Sequence, residues 1–238
     1  MERTSRTELK FPVHSDLVPK IEDDISCFLP LDAHIKNNDT GENSYKIRSL
    51  YFESPDQHFY REKLAGITER VKLRIRTYFP IGSGNQIFLE IKYKNNIRAK
   101  KLRAVLSYLD YKELLAGEYG SLLQKHSTNK VIVLFIHFIL KYGARPRLCI
   151  DYNRRAYVSP HRSQYMRATL DSNLSFFLSN NLFDKQGFHR SLIDPKYYIL
   201  ELKYQENIPF WMQSLVRKYH LRWSALSKYG IATRRLIS

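Results

Sequence analysis

The stretch Arg70–Arg76 reads R-V-K-L-R-I-R, so that Arg70, Lys72, Arg74 and Arg76 alternate with Val71, Leu73 and Ile75. A period of two sends successive side chains to opposite faces of a strand. Four cations then share one face, which is unfavourable unless solvent or an anion screens them. A single strand of this kind is explained by a basic face in water. The device is repeated, however, in E-L-K (8–10), L-E-I-K (89–92), K-L-R (101–103), R-A-T-L-D (167–171) and L-E-L-K (200–203). Each segment carries charge on one face and Leu, Ile, Val, Phe or Ala on the other. Such a set can bind a polyanion: arginine offers a planar, bidentate donor fork and lysine a compact charge.

The composition agrees. Lys+Arg 39 against Asp+Glu 23 gives a net charge of +16 over 238 residues. That excess points to nucleic acid, an anionic membrane or a phosphate-rich molecule or polymer as partner. Hydrophobic residues make up 43% of the chain, enough for a real core. Cys27 and Cys149 match no zinc or redox spacing; both have apolar neighbours, read as buried thiols in a reducing compartment. The N-terminus is charged and lacks the apolar run of a signal peptide. Val131–Leu140 is about half the length of a membrane span and contains His137, so a soluble, cytoplasmic chain is expected.

The elements that must carry these faces follow in order. A first strand at E-L-K-F-P-V leads into a helix capped by Ser15 or Asp16, with Leu17, Ile21, Ile25, Phe28 and Leu29 on one side. After a polar loop at 37–43 comes a strand at Y-K-I-R-S-L-Y-F-E (45–53), then a short helix from Pro55 to Leu64. The basic strand runs to Phe79, P-I-G-S-G-N (80–85) forms a turn, and Asn95–Asn96 forms another between the strands at 87–94 and 99–106. Leu114 to Tyr142 reads as mostly helical, with a buried stripe of Leu134, Phe135, Phe138, Ile139 and Tyr142. Strands resume at 147–158, 167–171 and 197–204, with 173–194 read as loop. Pro209 opens a helix bearing Trp211, Met212, Leu215, Val216 and Tyr219, and Arg222–Ser238 closes the chain. No repeat or linker interrupts 1–238, which reads as a single domain.

Two architectures fit this periodicity. In a flat sheet the charged faces look into water. In a closed antiparallel β-barrel of α+β class they line a lumen, with the one-sided helices packed outside. The barrel better explains why glutamates recur beside the basic residues, which a nucleic-acid surface would not need.

The ordered set E-L-K-F, S-L-Y-F-E, R-x-K-x-R-I-R, F-L-E-I-K, D-Y-x-R, L-D, L-E-L-K-Y and S-K-Y resembles the VTC polyphosphate polymerase domain, of the triphosphate tunnel (CYTH-like) metalloenzyme superfamily. The resemblance extends from Arg6 to Tyr229. It implies a tunnel whose basic side chains hold a triphosphate or polyphosphate and whose acidic ones hold a divalent metal, Mn or Mg. Carried over by position, Lys10, Arg74, Arg76, Lys92, Arg103, Arg154, Arg167, Lys203 and Lys228 are implied to bind phosphate. Lys101 is an alternative to Arg103, because the register of that strand is open. Arg70, Lys72 and Lys94 fit either the tunnel or a strand-end surface; Arg98, Lys100, Arg234 and Arg235 are expected in solvent. Glu201 is implied to bind metal, with Glu8 and Glu90 as further candidates.

The implied activity is metal-dependent transfer of the γ-phosphate of ATP to a growing inorganic polyphosphate, releasing ADP. A separate membrane protein is implied as a possible acceptor of the product, placing the chain at the inner face of a membrane. Rival readings are a tripolyphosphatase or nucleoside triphosphatase in the same tunnel, a non-catalytic polyphosphate-binding module, and a nucleic-acid binder using the chain's many tyrosines and phenylalanines. Gly82 and Gly84 lack the G-K-[ST] of a nucleotide-binding phosphate loop and read as a turn.

Overall fold

A computed structural model describes residues 6–36, 43–82, 84–95, 98–160, 165–184 and 187–237. Among the described residues nine strands form one antiparallel sheet: β1 (Arg6–His14), β2 (Tyr45–Glu53), β3 (Glu69–Tyr78), β4 (Ile87–Asn95), β5 (Arg98–Leu106), β6 (Arg145–Val158), β7 (Met166–Leu178), β8 (Arg190–Ser191) and β9 (Tyr197–Tyr204). Their order is β6-β2-β3-β4-β5-β1-β9-β7-β8, and β6 pairs in addition with β7. The sheet therefore curls back on itself.

The β1–β5 seam departs from the expected closed barrel. Among the described residues, β1 and β5 are joined at Arg6↔Ala99 and Thr7↔Arg98 alone, whereas β1 pairs with β9 from Thr7↔Tyr204 to His14↔Tyr197. Beyond Thr7 the β1 backbone finds another partner: the Ser224 amide donates to the Lys10 carbonyl at 2.9 Å. The architecture is α+β, one large curled antiparallel sheet with helices around it, and the sheet is not closed into the expected barrel.

The alternation read from the sequence sets the packing. The apolar faces of β3, β4 and β5, including Leu73, Ile75, Leu89, Ile91 and Leu106, are buried against α4 (Tyr108–Ala116), α5 (Tyr119–Lys125) and α6 (Lys130–Tyr142). Those of β1, β7 and β9 pack Phe11, Ala168, Leu200 and Leu202 against Ile21 and Ile25 of α1 (Val18–Ser26) and Met212 and Leu215 of α7 (Phe210–Lys218). A third cluster lies on the inward side. Ile150 and Tyr152 share a face with Arg154, and Ile199 shares one with Glu201, yet they pack against Tyr229 and Ala232 of α8 (Lys228–Ile237). The inner face is thus apolar at one end, where α8 is seated, and charged beyond it.

Several boundaries differ from expectation. The helical region 114–142 divides into three, starting earlier, because Gly117 at φ 82° ends α4 in the left-handed region and the Asn129 side chain caps α6 through the Val131 and Ile132 amides. A 3-10 turn (Ser15–Leu17) precedes α1, and α3 (His58–Leu64) starts three residues after Pro55. A further short helix, α2 (Ala33–Lys36), follows α1. Strand β7 runs on to Leu178 and β8 lies within the stretch read as loop. Cys149 is buried as expected, but Cys27, at the end of α1, is exposed. Much of the polar loop (37–42), residue 83 of the 80–85 turn and Asn96 lie outside the described residues, as does the side chain of Arg98; Lys100, Arg234 and Arg235 are exposed. No helix among the described residues is long and apolar enough to cross a membrane.

Candidate functional site

Inside the curl is a cavity of about 440 Å³. Among the described residues, fourteen lysines and arginines line it, against two carboxylates, Glu8 and Glu201. Every residue nominated from the sequence reaches this wall except Glu90, and Arg70, Lys72 and Lys94 take the inward alternative left open for them. The strand register explains the convergence: Lys10 stands opposite Glu201, Glu8 and Arg167 both stand opposite Lys203, and Lys72 stands opposite Lys92 in turn opposite Lys101.

Two carboxylates order one part of the wall. Glu201 receives Lys203 at 2.8 Å, Lys228 at 3.2 Å, Lys10 at 3.3 Å and Arg154 at 3.7 Å. Glu8 receives Lys92 at 2.8 Å and Lys10 at 3.3 Å. Burial works to raise both acids, but these cations outweigh it and hold both well below the usual carboxylate range. Asp171, buried behind the wall, takes a bidentate pair from Arg154 at 2.6 and 2.7 Å and also accepts from Lys228. Arg167 is held by Asp32 at 3.2 Å and by the Tyr45 hydroxyl at 3.1 Å.

The expected third metal ligand does not join them. Glu90 has no exposed surface, and its carboxylate is occupied by Arg74, Arg103 and Lys101, at 2.6, 2.5 and 3.1 Å. It is an ion-pair partner of the wall and not part of the cavity lining. Among the described residues no three Asp, Glu, His or Cys side chains converge as a metal cluster. Glu8 and Glu201 nevertheless suit a hard divalent cation. They already share the Lys10 ammonium between them, and Mg²⁺ is commonly held by one or two carboxylates with phosphate oxygens completing its shell.

Elsewhere the wall is short of negative charge. Arg76 is 5% exposed and, among the described residues, donates to neutral oxygens only, Ser49 Oγ at 3.0 Å and Tyr152 Oη at 2.8 Å. Lys72 donates to Ser227 Oγ at 2.8 Å. Burial, reinforced by Lys92, Lys10, Arg70 and Lys94, holds the Lys72 amine well below its ordinary value. Burial, with Lys10 and Lys203 acting against Glu8, brings Lys92 down to about 8. Lys101 falls to about 7 through burial and the repulsion of Arg103, Arg76 and Arg74, against the pull of Glu90. Its side chain is 37% exposed, so water softens this repulsion more than at the enclosed Lys72.

Several lining residues had no sequence signal of their own. Tyr78 and Tyr152 face inward because they share strand parity with the cations of β3 and β6, Tyr45 and Tyr51 because they stand opposite Arg154 and Arg74 in register, and Tyr51 Oη accepts from Arg74 at 3.0 Å. Lys63 comes from α3, and the segment 223–227 crosses the cavity without regular structure. Glu53, the last residue of S-L-Y-F-E, sits outside the wall as a latch. Its carboxylate accepts the Ser54, Phe59 and Tyr60 amides at 2.9 Å each and the Tyr229 hydroxyl, tying β2, α3 and α8 together beside Lys228.

Solved structures of low sequence identity share this fold. One such structure, from Hippeastrum, is a protein assigned as an adenylyl cyclase and found to have a dominant triphosphatase activity. It aligns over 97% of this chain and 94% of its own at 14% identity, with a TM-score of 0.51. A proposed adenylate cyclase from Bacillus halodurans aligns over 95% and 96% at 13% identity, with a TM-score of 0.50. Curated proteins yield no match. The VTC domain family model matches residues 5–237, and the chain belongs to that family.

Proposed function

We propose that the protein is a metal-dependent phosphotransferase that adds the γ-phosphate of ATP to the end of an inorganic polyphosphate. The observation that carries this reading is the uncompensated charge at Arg76 and Lys72. Neither makes an ion pair among the described residues, although Arg76 is buried and Lys72 is half-buried in the cavity wall. An enclosed charge without a counter-charge is expensive, and a phosphate chain would supply one negative charge per unit along the wall.

In this reading the curled sheet acts as a tunnel, and catalysis comes from positioning and charge stabilisation. Arg74, Arg76 and Arg103 grip phosphate oxygens on one side; Lys10, Arg154, Lys203 and Lys228 do so around Glu201. Arg167, Lys92, Lys101, Lys72 and Arg70 extend the basic track. Glu201 and Glu8 would hold Mg²⁺ or Mn²⁺, which supplies charge neutralisation at the leaving diphosphate. A terminal oxygen of the acceptor chain forms the new bond to the γ-phosphorus as the bond to the β-phosphate oxygen breaks, so no protein nucleophile is required.

A hydrolase is the second reading, supported by the triphosphatase activity of the Hippeastrum protein of the same fold. Only the acceptor differs. Incubation with ATP and Mn²⁺ or Mg²⁺, followed by gel separation of polyphosphate, decides between them. A metal-dependent ladder with ADP release, missing in Glu201→Gln, is expected; free phosphate without a ladder would identify a hydrolase. Triphosphate binding should survive in Glu201→Gln, since its neighbouring cations remain.

A further inference from the structure

We infer that Glu90 is a positioning residue: a buried counter-anion that aims Arg74, Arg103 and Lys101 at the phosphate chain from behind the cavity wall. This rests on the reading of the cavity as a phosphate site and gives one carboxylate a task other than holding metal.

The geometry is specific. Glu90 lies on β4, between Arg74 of β3 and Arg103 of β5 in register. Arg74 Nε donates to Oε2 at 2.7 Å with Nη2 in ion-pair contact at 2.6 Å, while Arg103 Nε and Nη2 both donate to Oε1, at 2.7 and 2.5 Å. Lys101 adds a contact to Oε1 at 3.1 Å. Each guanidinium thus spends one edge on Glu90. A guanidinium has five N–H donors, so further donors are left free to meet an oxyanion. Arg74 places another on Tyr51 Oη, and Arg103 lies over the Phe88 ring at 4.3 Å, which restricts each plane further. Rigid, pre-aimed donors bind more tightly than mobile ones because less side-chain entropy is lost on binding.

Lys101 shows a second consequence. It faces Arg74 and Arg76 from β3, Lys92 and Glu90 from β4 and Arg103 on its own strand, so Glu90 is the near acid that opposes this repulsion. Without Glu90, the amine would lose its proton at a more acid pH, and the cavity would lose a charge near neutrality.

Charge alone predicts the opposite result, which makes the inference testable. Removing an anion from a cationic wall should strengthen anion binding if Glu90 merely adds negative potential; removing a positioning group should weaken it. Tripolyphosphate binding by calorimetry is measured for wild type, Glu90→Gln and Glu90→Asp across about pH 6 to 9, in low salt without metal. Wild type should bind, with a loss of affinity near pH 7 as Lys101 deprotonates. Glu90→Gln should bind at least about tenfold more weakly at pH 7.5 and shift that loss to more acid pH. Glu90→Asp keeps the charge but shortens the reach: affinity should fall several-fold, with the pH step in place. Glu90→Gln binding as tightly as wild type, or more tightly, with an unmoved pH step overturns the inference. If Glu90→Gln fails to fold, Glu90→Asp decides: a retained step at lower affinity supports the assignment, and unchanged affinity or loss of the step overturns it. A wild type that fails to bind tripolyphosphate overturns the phosphate reading itself, independently of either variant.

Discussion

Arg76 illustrates at the scale of one residue how the site conflicts with stability. Its guanidinium is enclosed and, among the described residues, is satisfied only by Ser49 and Tyr152 hydroxyl oxygens. Replacing a buried charge by an apolar group of similar reach is often neutral or stabilising. Arg76→Met should therefore leave the fold intact or stabilise it by about 1 kcal/mol, while tripolyphosphate affinity falls about tenfold or more. Thermal melts and calorimetry on the same sample check both halves. A large drop in melting temperature would mean that Arg76 is structural. Glu53 has the reverse character: it does not itself line the cavity, yet accepts three amides and a tyrosine hydroxyl. Glu53→Gln cannot accept all four, and should cost about 2 kcal/mol, read as a lower denaturant midpoint.

Among elements, the strands were far more legible in the sequence than their partners. Alternation in R-V-K-L-R-I-R and L-E-L-K fixes which side chains share a face, so the nominated cations converge once the sheet curls. Alternation does not say which neighbour a given residue meets. Glu8, Glu90 and Glu201 share the E-x-K signature, but register places Glu90 between Arg74 and Arg103 and the other two beside Lys10. Helices were legible where an apolar stripe is long, as in α6, and blurred where one-residue signals such as Gly117 and Asn129 divide a helical region. Helix α8 was missed because its inner side, Tyr229, Gly230, Ala232 and Thr233, mixes aromatic, small and polar residues and gives no stripe. It fits because it fills the apolar end of the curl.

For the whole molecule, the surplus of positive charge predicts opposite pH responses in stability and binding. Lys72, Lys92 and Lys101 lie below their ordinary values in the folded protein. Between about pH 7 and 10 the unfolded chain therefore binds more protons than the folded one, and stability of the free protein rises with pH. Lys10 and Lys228 are shifted upward by their acidic neighbours, so their contribution is constant in this window and is lost only above it. Tripolyphosphate needs the charged amines, so its affinity should fall over the same range, with proton uptake on binding. Melting temperatures at about pH 7 and 9.5, without and with tripolyphosphate, should cross in trend; parallel trends would mean that these lysines titrate normally.

The contacts at Glu201 also have a temporal meaning. Lys10 belongs to the first strand and Lys228 to the last helix, and both reach this one carboxylate, at 3.3 and 3.2 Å. Contacts this distant along the chain form late, after the costly closure of the intervening loop. A chain still emerging during synthesis has strands rich in lysine and arginine but lacks the finished wall. In the proposed reading, grip on a phosphate polymer is then a property of the completed wall, and bound polymer would stabilise the seated α8 by mass action.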